Sequence, residues 1–380
     1  MSEGSRLLLI TDIFPPDIGG PATFIELLAS RLTDAGHTVT VVCTSAETFE
    51  SGDAERRYRV RRMARRPPTL AHRLGVRAAL AAEVIQNRHV FTNGLEYPTY
   101  QVCSLLRRGY VLKVVGDTAW ETARNVGLTT LSIEDFQRPS TEGAAIQALV
   151  RKRTRFAAGA RRVITPSDYL RRLVLGWGVP SERVTTIYNG ISLAEYAGVQ
   201  PRRRSGPMLQ VLYAGRLASW KGVETLLRAL AGLTNVRASI AGDGPEEAAL
   251  KRLAEELRLG ESAVFAGRQT RMQLRQQMQQ SDVLVLDSEY EGLSHTLLEA
   301  AAMALPSIAS DRGGNPEVIQ NGSNGLLVPY GDVAALQAAL AQLQADEALR
   351  YRLACQAKAL SVRFDFTETV AGTMAVMLNA

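Results

Sequence analysis

Short apolar runs recur along the chain and alternate with longer segments whose apolar residues follow the three-to-four spacing of an amphipathic helix. Each short run is bounded by turn residues, which is typical of a buried strand. The predicted strands cover residues 7–11, 37–43, 58–63, 89–92, 110–115, 162–165, 184–188, 209–213, 238–241, 263–266, 283–286 and 322–328. Strands that alternate with helices in this way predict an α/β protein built on doubly wound parallel sheets.

The chain has 380 residues, which is long for one ordinary domain and suits two. The turn Asn189-Gly190 is followed by an irregular basic segment that we interpret as a linker. We therefore expect an N-terminal domain over 1–190, a C-terminal domain over 191–362 and a terminal helical segment over 363–380.

Composition restricts the class of protein. Hydrophobic residues make up 46% and charged residues 22%, as in a globular protein with two sizeable cores. The three cysteines, Cys43, Cys103 and Cys355, are widely spaced and predict neither a disulfide framework nor a zinc site, so we expect a reducing compartment. The N-terminus lacks a signal-peptide pattern, and no run of 18 apolar residues occurs. These features predict a cytoplasmic protein that does not span a membrane.

The net charge of +6 is concentrated in two segments of the N-terminal half. The first segment contains Arg56, Arg57, Arg59, Arg61, Arg62, Arg65 and Arg66, and the second contains Arg151, Lys152, Arg153, Arg155, Arg161 and Arg162. Such clusters attract anionic lipid, nucleic acid or a phosphate-bearing acceptor through the same Coulombic attraction, and a solvated arginine-rich surface explains them equally well.

The segment 286–319 carries the strongest chemical pattern. The strand 283–286 leads into a polar turn and then a helix rich in Ala and Leu, so the amides from Gly292 to Leu297 form an anion site at a helix N-terminus. Seven residues separate Glu291 from Glu299, which places both carboxylates on about the same helix face. Carboxylates accept hydrogen bonds, so we expect them to hold the vicinal hydroxyls of a ribose or hexose.

Other loops after predicted strands add candidate residues. Arg216 and Lys221 follow the strand 209–213, and two cations five residues apart suit a diphosphate. Gly267 and Arg268 end a further strand, where the guanidinium can stack on a base. In the N-terminal half, Gly19-Gly20 precedes a helix and permits close approach of a sugar or phosphate.

Asp117 follows the strand 110–115 and is placed to contact a ligand at the carboxyl edge of the sheet, or alternatively to cap the following turn. The polar stretch 122–141 lacks helical periodicity, and we expect it to be a long loop that contacts an acceptor.

These motifs resemble the signature of the retaining nucleotide-sugar glycosyltransferases of family four, which have two domains in the GT-B fold. The signature combines an acidic residue and Gly, Leu-Glu-Ala before a helix of small residues, Pro, and Gly-Gly-x-Pro-Glu. The matching residues are Glu291-Gly292, Leu298-Glu299-Ala300, Pro306 and Gly313-Gly314-Asn315-Pro316-Glu317. The chain departs from the pattern at Leu293-Ser294-His295, where many members carry Phe-Gly and an aliphatic residue, so the motif does not fix the hexose.

The resemblance implies two Rossmann-like domains facing a cleft, with the terminal helix crossing back to the N-terminal domain. It implies transfer of a hexose-type sugar from a UDP- or GDP-linked donor to an acceptor hydroxyl, with retention of configuration and without a metal or other cofactor. Same-face attack, in which the departing phosphate accepts the proton, is the mechanism of the family.

The resemblance also assigns the site. The catalytic group comprises Asp117, Arg216, Lys221 and Glu291, and the donor-binding group comprises Gly19, Gly20, Gly267, Arg268, Ser294, His295, Thr296, Leu297 and Glu299. Within it, Glu299 holds the donor ribose, Glu291 the transferred sugar, and Arg216 with Lys221 the leaving diphosphate. The implied acceptor is a glycan, a lipid-linked sugar or a small molecule, with an anionic membrane surface at the inner face as a further partner and nucleic acid excluded.

Three alternatives remain open at the level of sequence. A nucleotide-sugar epimerase would use the same architecture but needs acid and base groups around the sugar, and the chain has only four histidines. A glycosyltransferase that acts on a small soluble acceptor needs no membrane surface. A module that binds membrane or nucleic acid through its basic segments would not be an enzyme.

Overall fold

A computed structural model describes residues 4–17, 19–65, 69–138, 143–203 and 206–380. Arg66 of the first basic segment, Thr141 at the end of the polar stretch and residues 204–205 of the predicted linker lie outside these ranges. The chain divides into two compact units. The first contains the residues up to Ile187 together with Thr369–Ala380, and the second contains Tyr188–Glu368.

The first unit contains a seven-stranded sheet in which all pairs of neighbours are parallel. Its strands are β1 (Arg6–Thr11), β2 (Thr38–Ser45), β3 (Arg59–Ala64), β4 (His89–Asn93), β5 (Val111–Lys113), β6 (Arg162–Thr165) and β7 (Val184–Thr186), in the order β3-β2-β1-β4-β5-β6-β7. The helices of this unit are α1 (Gly20–Asp34), α2 (Leu70–Gln86), α3 (Glu96–Leu105), α4 (Thr118–Asn125), α5 (Ile133–Phe136), α6 (Ala144–Gly159) and α7 (Asp168–Gly176).

The second unit contains a six-stranded parallel sheet. Its strands are β8 (Leu209–Ala214), β9 (Val236–Ala241), β10 (Ala263–Gly267), β11 (Val283–Leu286), β12 (Ser307–Ser310) and β13 (Gly325–Val328), in the order β10-β9-β8-β11-β12-β13. Its helices are α8 (Val223–Leu230), α9 (Glu247–Glu256), α10 (Arg271–Gln280), α11 (His295–Ala302), α12 (Asn315–Val318), α13 (Val333–Ala345) and α14 (Glu347–Ser361). The last helix, α15 (Phe366–Leu378), begins in this unit and belongs to the first unit from Thr369 onward.

Each sheet carries its own core of aliphatic side chains. Leu8, Ile10 and Leu112 anchor the core of the first unit, and Val211, Leu284 and Ile308 belong to that of the second. Strands buried on both faces need continuous apolar sequences, which explains why the apolar runs marked them so clearly. The two parallel, doubly wound sheets confirm the predicted fold class, and the last twelve residues of the chain group with the first unit.

Local signals place the ends of several helices. Gly36 follows α1 with a φ of 86°, a left-handed conformation that glycine adopts without strain, as predicted for a helix terminator. Thr270 and Gln273 form a capping box at the start of α10. No helix among the described residues is long and apolar enough to cross a lipid bilayer.

Two expectations about secondary structure were wrong. The strand β12 was not predicted, because its sequence Ser-Ile-Ala-Ser is short and has small polar residues at both ends. The stretch 122–141 is not one long loop, since α4 covers Thr118–Asn125 and α5 covers Ile133–Phe136. Helix α4 is polar in sequence but buries the side chains of Ala119, Trp120 and Ala123.

Candidate active site

The order of strands in the second unit marks where a ligand binds. Strands β9 and β10 lie on one side of β8, whereas β11, β12 and β13 lie on the other. Ligands of open α/β sheets bind outside the carboxyl ends of the strands at such a reversal. The loops that leave β8 and β11 carry Arg216, Lys221 and Glu291, so three residues predicted from sequence lie at this position.

The loops after β8 and β11 are held in direct contact. Gly222 has a φ of 68°, and a Cβ at this position would lie 1.7 Å from the carbonyl oxygen of Asp287. The amide of Glu289 donates a hydrogen bond of 2.8 Å to the carbonyl of Trp220. Only glycine fits at position 222 for both reasons, and the close approach brings Lys221 beside the turn that contains Glu291.

Lys221 and Glu291 form an ion pair between these loops. The Lys221 Nζ lies 2.7 Å from the Glu291 Oε1, which also accepts a hydrogen bond of 2.9 Å from the Ser288 hydroxyl. The two charged side chains are 19% and 14% exposed, so the pair is reachable from solvent. The other oxygen of Glu291, Oε2, makes no hydrogen bond with any residue in the described ranges and has capacity to accept one from a sugar hydroxyl.

The Gly313-Gly314 element supports the backbone of Glu291. The amide of Gly314 donates a 2.8 Å hydrogen bond to the carbonyl of Glu291. A Cβ on Gly313 would lie 2.6 Å from that same carbonyl oxygen, and one on Gly314 would lie 2.4 Å from the carbonyl oxygen of Gly292. The paired glycines therefore let two loops pack backbone against backbone and fix the position of Glu291.

Helix α11 begins directly after this turn. Ser294 is its N-cap, and the serine hydroxyl accepts a hydrogen bond of 3.3 Å from the amide of Leu297. The backbone amides at the start of α11, such as that of Thr296, carry partial positive charge. Together with the helix dipole they favour an anion near Lys221 and Glu291.

Arg216 and Arg268 are exposed side chains at the same edge of the sheet. Neither forms an ion pair or hydrogen bond through its guanidinium with any residue that the structure describes. The hydroxyl of Tyr213 donates a 3.0 Å hydrogen bond to the carbonyl of Arg216, and the carbonyl of Gly267 accepts one of 2.9 Å from Gly242. Both loops are thus anchored through their backbones while the guanidinium groups are available to a ligand.

Glu299 lies one turn into α11 and has a different environment from Glu291. Burial raises the pKa of its carboxyl above the ordinary value, while the positive charges of Arg271 and Arg275 oppose that rise. The Arg271 Nε lies 3.8 Å from the Glu299 Oε1. The Glu299 side chain is 19% exposed, so it is less accessible than a solvated helix carboxylate.

In the first unit, Asp117 is completely buried. Its Oδ1 accepts hydrogen bonds from the amides of Ala119 at 3.0 Å and Trp120 at 3.2 Å, which makes it the N-cap of α4. Its Oδ2 accepts hydrogen bonds from the Gln137 amide at 2.9 Å and from the Arg153 guanidinium at 2.5 Å. Both oxygens are engaged inside the protein, so in this conformation Asp117 holds the scaffold and does not face a substrate.

The segment that was expected to be a loop is tied to this buried pair. The Trp177 indole donates a 2.9 Å hydrogen bond to the Gln137 Oε1, and the Arg153 guanidinium lies 4.4 Å from the Trp177 ring centroid. The Trp120 indole donates a 3.0 Å hydrogen bond to the carbonyl of Leu131. Side-chain contacts on both sides of α5 therefore fix the segment to the body of the first unit.

Gly19 and Gly20 lie at the start of α1, as predicted. Gly19 is the N-cap without a side-chain cap, and α1 begins at Gly20 with Pro21 in its first turn. A Cβ on Gly19 would lie 2.7 Å from the Cδ1 of Ile13. The glycine therefore lets the loop after β1 fold closely over its own strand end.

The two basic segments differ in their pairing. All six described arginines of the first segment form ion pairs: Arg56 with Glu26, Arg57 with Asp34, Arg59 and Arg61 with Glu83, Arg62 with Asp53, and Arg65 with Asp17. In the second segment Arg153 pairs with Asp117, whereas Arg151, Lys152 and Arg155 are exposed on α6 and form no ion pair with a described residue.

Several residues of this site were not found from sequence. Ser288 holds the Glu291 carboxylate through its hydroxyl, and Glu195, Arg271 and Arg275 surround Glu299. Only the arginine pair on α10 had a visible signal, because residues four apart share a helix face. Within the described ranges, no group of three or more His, Cys, Asp or Glu side chains is arranged to hold a metal ion.

Comparisons with known proteins identify the family and agree with the fold. The family model "Glycosyltransferase Family 4" matches residues 18–195, and the model "Glycosyl transferases group 1" matches residues 201–360. The chain is 27% identical to a glycogen synthase of Mycobacterium tuberculosis, over 99% of this chain and 95% of that protein. It is 28% identical to a GDP-mannose-dependent α-(1-6)-phosphatidylinositol monomannoside mannosyltransferase of Mycolicibacterium smegmatis, over 90% of this chain and 89% of that protein.

Solved structures share the fold over nearly the whole chain. A sucrose-phosphate synthase from Thermosynechococcus elongatus superposes with a TM-score of 0.81 at 21% identity, covering 98% of both chains. Alr3699/HepE of Anabaena, solved with UDP and glucose, superposes with a TM-score of 0.79 at 20% identity, covering 99% of this chain and 100% of that one. With the two family models, which together span most of the sequence, these results show that the chain belongs to the family-four glycosyltransferases of GT-B fold.

Proposed function

We propose that this glycosyltransferase moves a hexose-type sugar from a UDP- or GDP-linked donor to an acceptor hydroxyl with retention of configuration. The observation that carries the proposal is the pairing of Lys221 with Glu291 at the strand reversal, with Glu291 Oε2 still available to a hydroxyl. This arrangement places a cation and a hydrogen-bond acceptor side by side, as the anionic and the sugar parts of a nucleotide sugar require.

The leaving diphosphate is assigned to Arg216, Lys221 and the first-turn amides of α11. Lys221 uses one of its three N–H groups on Glu291 and keeps two for phosphate oxygens. Charge grows on the diphosphate as the glycosidic bond breaks, so fixed donors at this point stabilise the transition state more than the ground state. In this proposal no metal ion is needed, and the departing phosphate accepts the acceptor proton.

The other donor-binding residues are assigned with the diphosphate of the nucleotide sugar in this position. Glu299 accepts hydrogen bonds from the ribose hydroxyls, and Gly267 with Arg268 contacts the base. Glu291 Oε2 accepts a hydroxyl of the transferred sugar. The amides at the start of α1, beside Gly19 and Gly20, are the first unit's candidates for a phosphate or sugar group.

On the acceptor side, we reassign the charged surface to the second basic segment. Its exposed Arg151, Lys152 and Arg155 form no ion pair among the described residues, although the charge of Lys152 acts on the Glu96 carboxyl, whereas all the described arginines of the first segment are paired with acids. An anionic lipid leaflet or a phosphate-bearing acceptor fits this surface. A relative that acts on a phosphatidylinositol monomannoside supports the lipid source.

The test is a screen of UDP- and GDP-linked hexoses by thermal shift, followed by NMR of the products. A donor at a hundred times its dissociation constant should stabilise the protein by ~2.7 kcal/mol. We expect one donor class to bind, slow hydrolysis or transfer to give the same anomer as the donor, and activity to persist after exhaustive chelation. An inverted product would overturn the retaining assignment, and loss of activity restored by a divalent ion would overturn the metal-free one.

A further inference from the structure

Three charged side chains around Glu299, those of Glu195, Arg271 and Arg275, are not explained by binding of the diphosphate. A 3-10 turn at Leu193–Tyr196, shortly after the Asn189-Gly190 turn, presents the Glu195 carboxylate to the first turns of α10. Glu195 Oε1 lies 3.4 Å from the Arg271 guanidinium, and Glu195 Oε2 contacts that of Arg275. Arg271 in turn lies 3.8 Å from Glu299.

The geometry makes Arg271 a cation shared between two carboxylates. It is closer to Glu195 than to Glu299, and its side chain is 43% exposed while those of Glu195 and Glu299 are 33% and 19% exposed. At 3.8 Å it stabilises the charge of Glu299 without making a short hydrogen bond to either carboxylate oxygen. Neither arginine therefore occupies the lone pairs of Glu299 with a short hydrogen bond, and beside the Tyr196 phenol the carboxylate keeps lone pairs for a ligand.

Arg275 and Tyr196 keep Glu195 in place. The Arg275 guanidinium contacts Glu195 and lies 4.6 Å from the Tyr196 ring centroid, and that ring is completely buried. The Lys358 ammonium on α14 is not available to the acids, because it donates hydrogen bonds to the carbonyls of Tyr196 at 2.8 Å and Ala302 at 2.9 Å. The charged groups around Glu299 are thus Glu195, Arg271 and Arg275, with the Tyr196 phenol beside them.

We propose that Glu195 holds Arg271 back from Glu299, so that Arg271 balances the charge of this carboxylate without occupying the lone pairs that accept hydrogen bonds from the ribose hydroxyls. Glu195 and Arg271 are positioning residues of the nucleoside subsite. The proposal rests on the proposed function, because it needs Glu299 to be the ribose ligand.

The proposal gives the two residues different signatures. Without Glu195, Arg271 moves onto Glu299 and competes with the ribose at neutral pH. Without Arg271, Glu299 keeps its oxygens free but loses a stabilising charge, so burial raises its pKa further. Glu299 accepts hydrogen bonds from both ribose hydroxyls only when it is ionised. Without Arg271, the affinity for ribonucleotides should therefore be lost at a higher pH on acidification.

The experiment measures the dissociation constants of UDP and GDP and of their 2′,3′-dideoxy forms by calorimetry. At pH 7.5, Glu195→Gln should weaken the ribonucleotides about fivefold, the scale of one half-exposed charge contact, and leave the dideoxy forms unchanged. In an Arg271→Gln background, Glu195→Gln should change nothing further. Arg271→Gln alone should shift the pH at which ribonucleotide affinity is lost upward, and Arg271→Lys should restore the wild-type profile.

A matched control is Arg228→Gln, which removes a 46% exposed arginine from its pair with Glu224 in the same unit. It should alter neither affinity nor pH profile. Equal weakening of ribo and dideoxy nucleotides by Glu195→Gln, or an unchanged pH profile for Arg271→Gln, would overturn the proposal. Glu299→Gln distinguishes failure of this proposal from failure of the proposed function. If Glu299→Gln weakens binding of ribonucleotides and dideoxynucleotides equally, the assignment of Glu299 to the ribose is itself wrong. If Glu299→Gln weakens only the ribonucleotides and the Glu195 and Arg271 variants show no such difference, only the role of Glu195 and Arg271 is rejected.

Discussion

Each unit has an ion pair that includes a carboxylate from a loop after a parallel strand, and the two pairs have opposite environments. Lys221 and Glu291 in the second unit are 19% and 14% exposed, and one carboxylate oxygen is unused. Arg153 and Asp117 in the first unit are 6% and 0% exposed, and both carboxylate oxygens accept hydrogen bonds. The two pairs are alike in residue type and in their place in the topology. A carboxylate oxygen that is still able to accept a hydrogen bond, together with access to solvent, therefore distinguishes a pair that binds a ligand from a pair that holds the scaffold.

The largest effect should come from breaking the buried pair. Asp117→Ala leaves the Arg153 guanidinium buried and uncompensated, and we expect the free energy of unfolding to fall by about 3 to 5 kcal/mol. Urea denaturation measures this loss. Glu291→Ala, at the open pair, should cost far less stability and mainly reduce turnover.

The double variant Asp117→Ala/Arg153→Met tests the physical cause. Removing the buried charge as well should recover part of the lost stability, because no unpaired ion is left in the interior. If Asp117→Ala instead kept full stability and abolished transfer, Asp117 would contact the substrate, and the comparison between the two pairs would fail.

The second effect concerns the open pair. Lys221→Ala and Arg216→Ala should each cost about 2 to 4 kcal/mol of transition-state stabilisation, measured as kcat/KM with the best donor. Unfolding free energies should change little, since both side chains are reachable from solvent. Arg228→Ala provides a control arginine outside the site. Loss of stability in step with loss of activity would show that these cations hold the fold and not the diphosphate.

Sequence reasoning succeeded where the relevant residues are close along the chain. Apolar runs marked nearly all the strands, and the turn and helix start between Glu291 and Glu299 were recognised from adjacent residues, although Glu291 lies in the turn before α11 and not on the helix. It failed where the deciding partner is distant, as for Asp117, whose ion-pair partner Arg153 is 36 residues away. Glu195 and Arg275, 80 residues apart, gave no local signal either.

The first basic segment teaches the same lesson about charge. Seven arginines looked like a free positive surface, yet the described ones face acids contributed by α1, by α2 and by the loops after β1 and β2. Net charge along a sequence does not reveal how the fold pairs it. The strand order that brings Glu83 to both Arg59 and Arg61 follows only from the assembled sheet.

The third effect concerns Asp287, another acid that follows β11 at the carboxyl edge of the second sheet, and extends the comparison of buried with open carboxylates. Asp287 is 2% exposed, and burial raises its pKa to about 6, although the Gly331 amide donates a 3.2 Å hydrogen bond to its Oδ2. As pH rises from about 4 to 6 the unfolded chain ionises this group before the folded protein does, so stability falls across that window and stays lower above it.

Asp287→Asn removes the charge and keeps the shape. We expect it to stabilise the protein by about 1 to 3 kcal/mol at pH 8 and to have no effect at pH 4, as measured by denaturation at both values. Greater stability of the wild type at pH 8 would contradict this prediction and would mean that the ionised carboxylate is compensated inside the protein.

The smallest effect per residue separates the two basic segments. A basic residue near a charged leaflet contributes ~1 kcal/mol, but an arginine already paired with an acid contributes less, because its partner is repelled by the same surface. Changing Arg151, Lys152 and Arg155 to Ser should therefore reduce co-sedimentation with vesicles that contain anionic lipid, whereas changing Arg59, Arg61 and Arg65 should reduce it less. Binding should also weaken with added salt, since screening shortens the range of the attraction. Equal losses from both sets would show that pairing does not decide which arginines face the lipid, and absence of binding at low salt would leave a soluble acceptor as the partner of this enzyme.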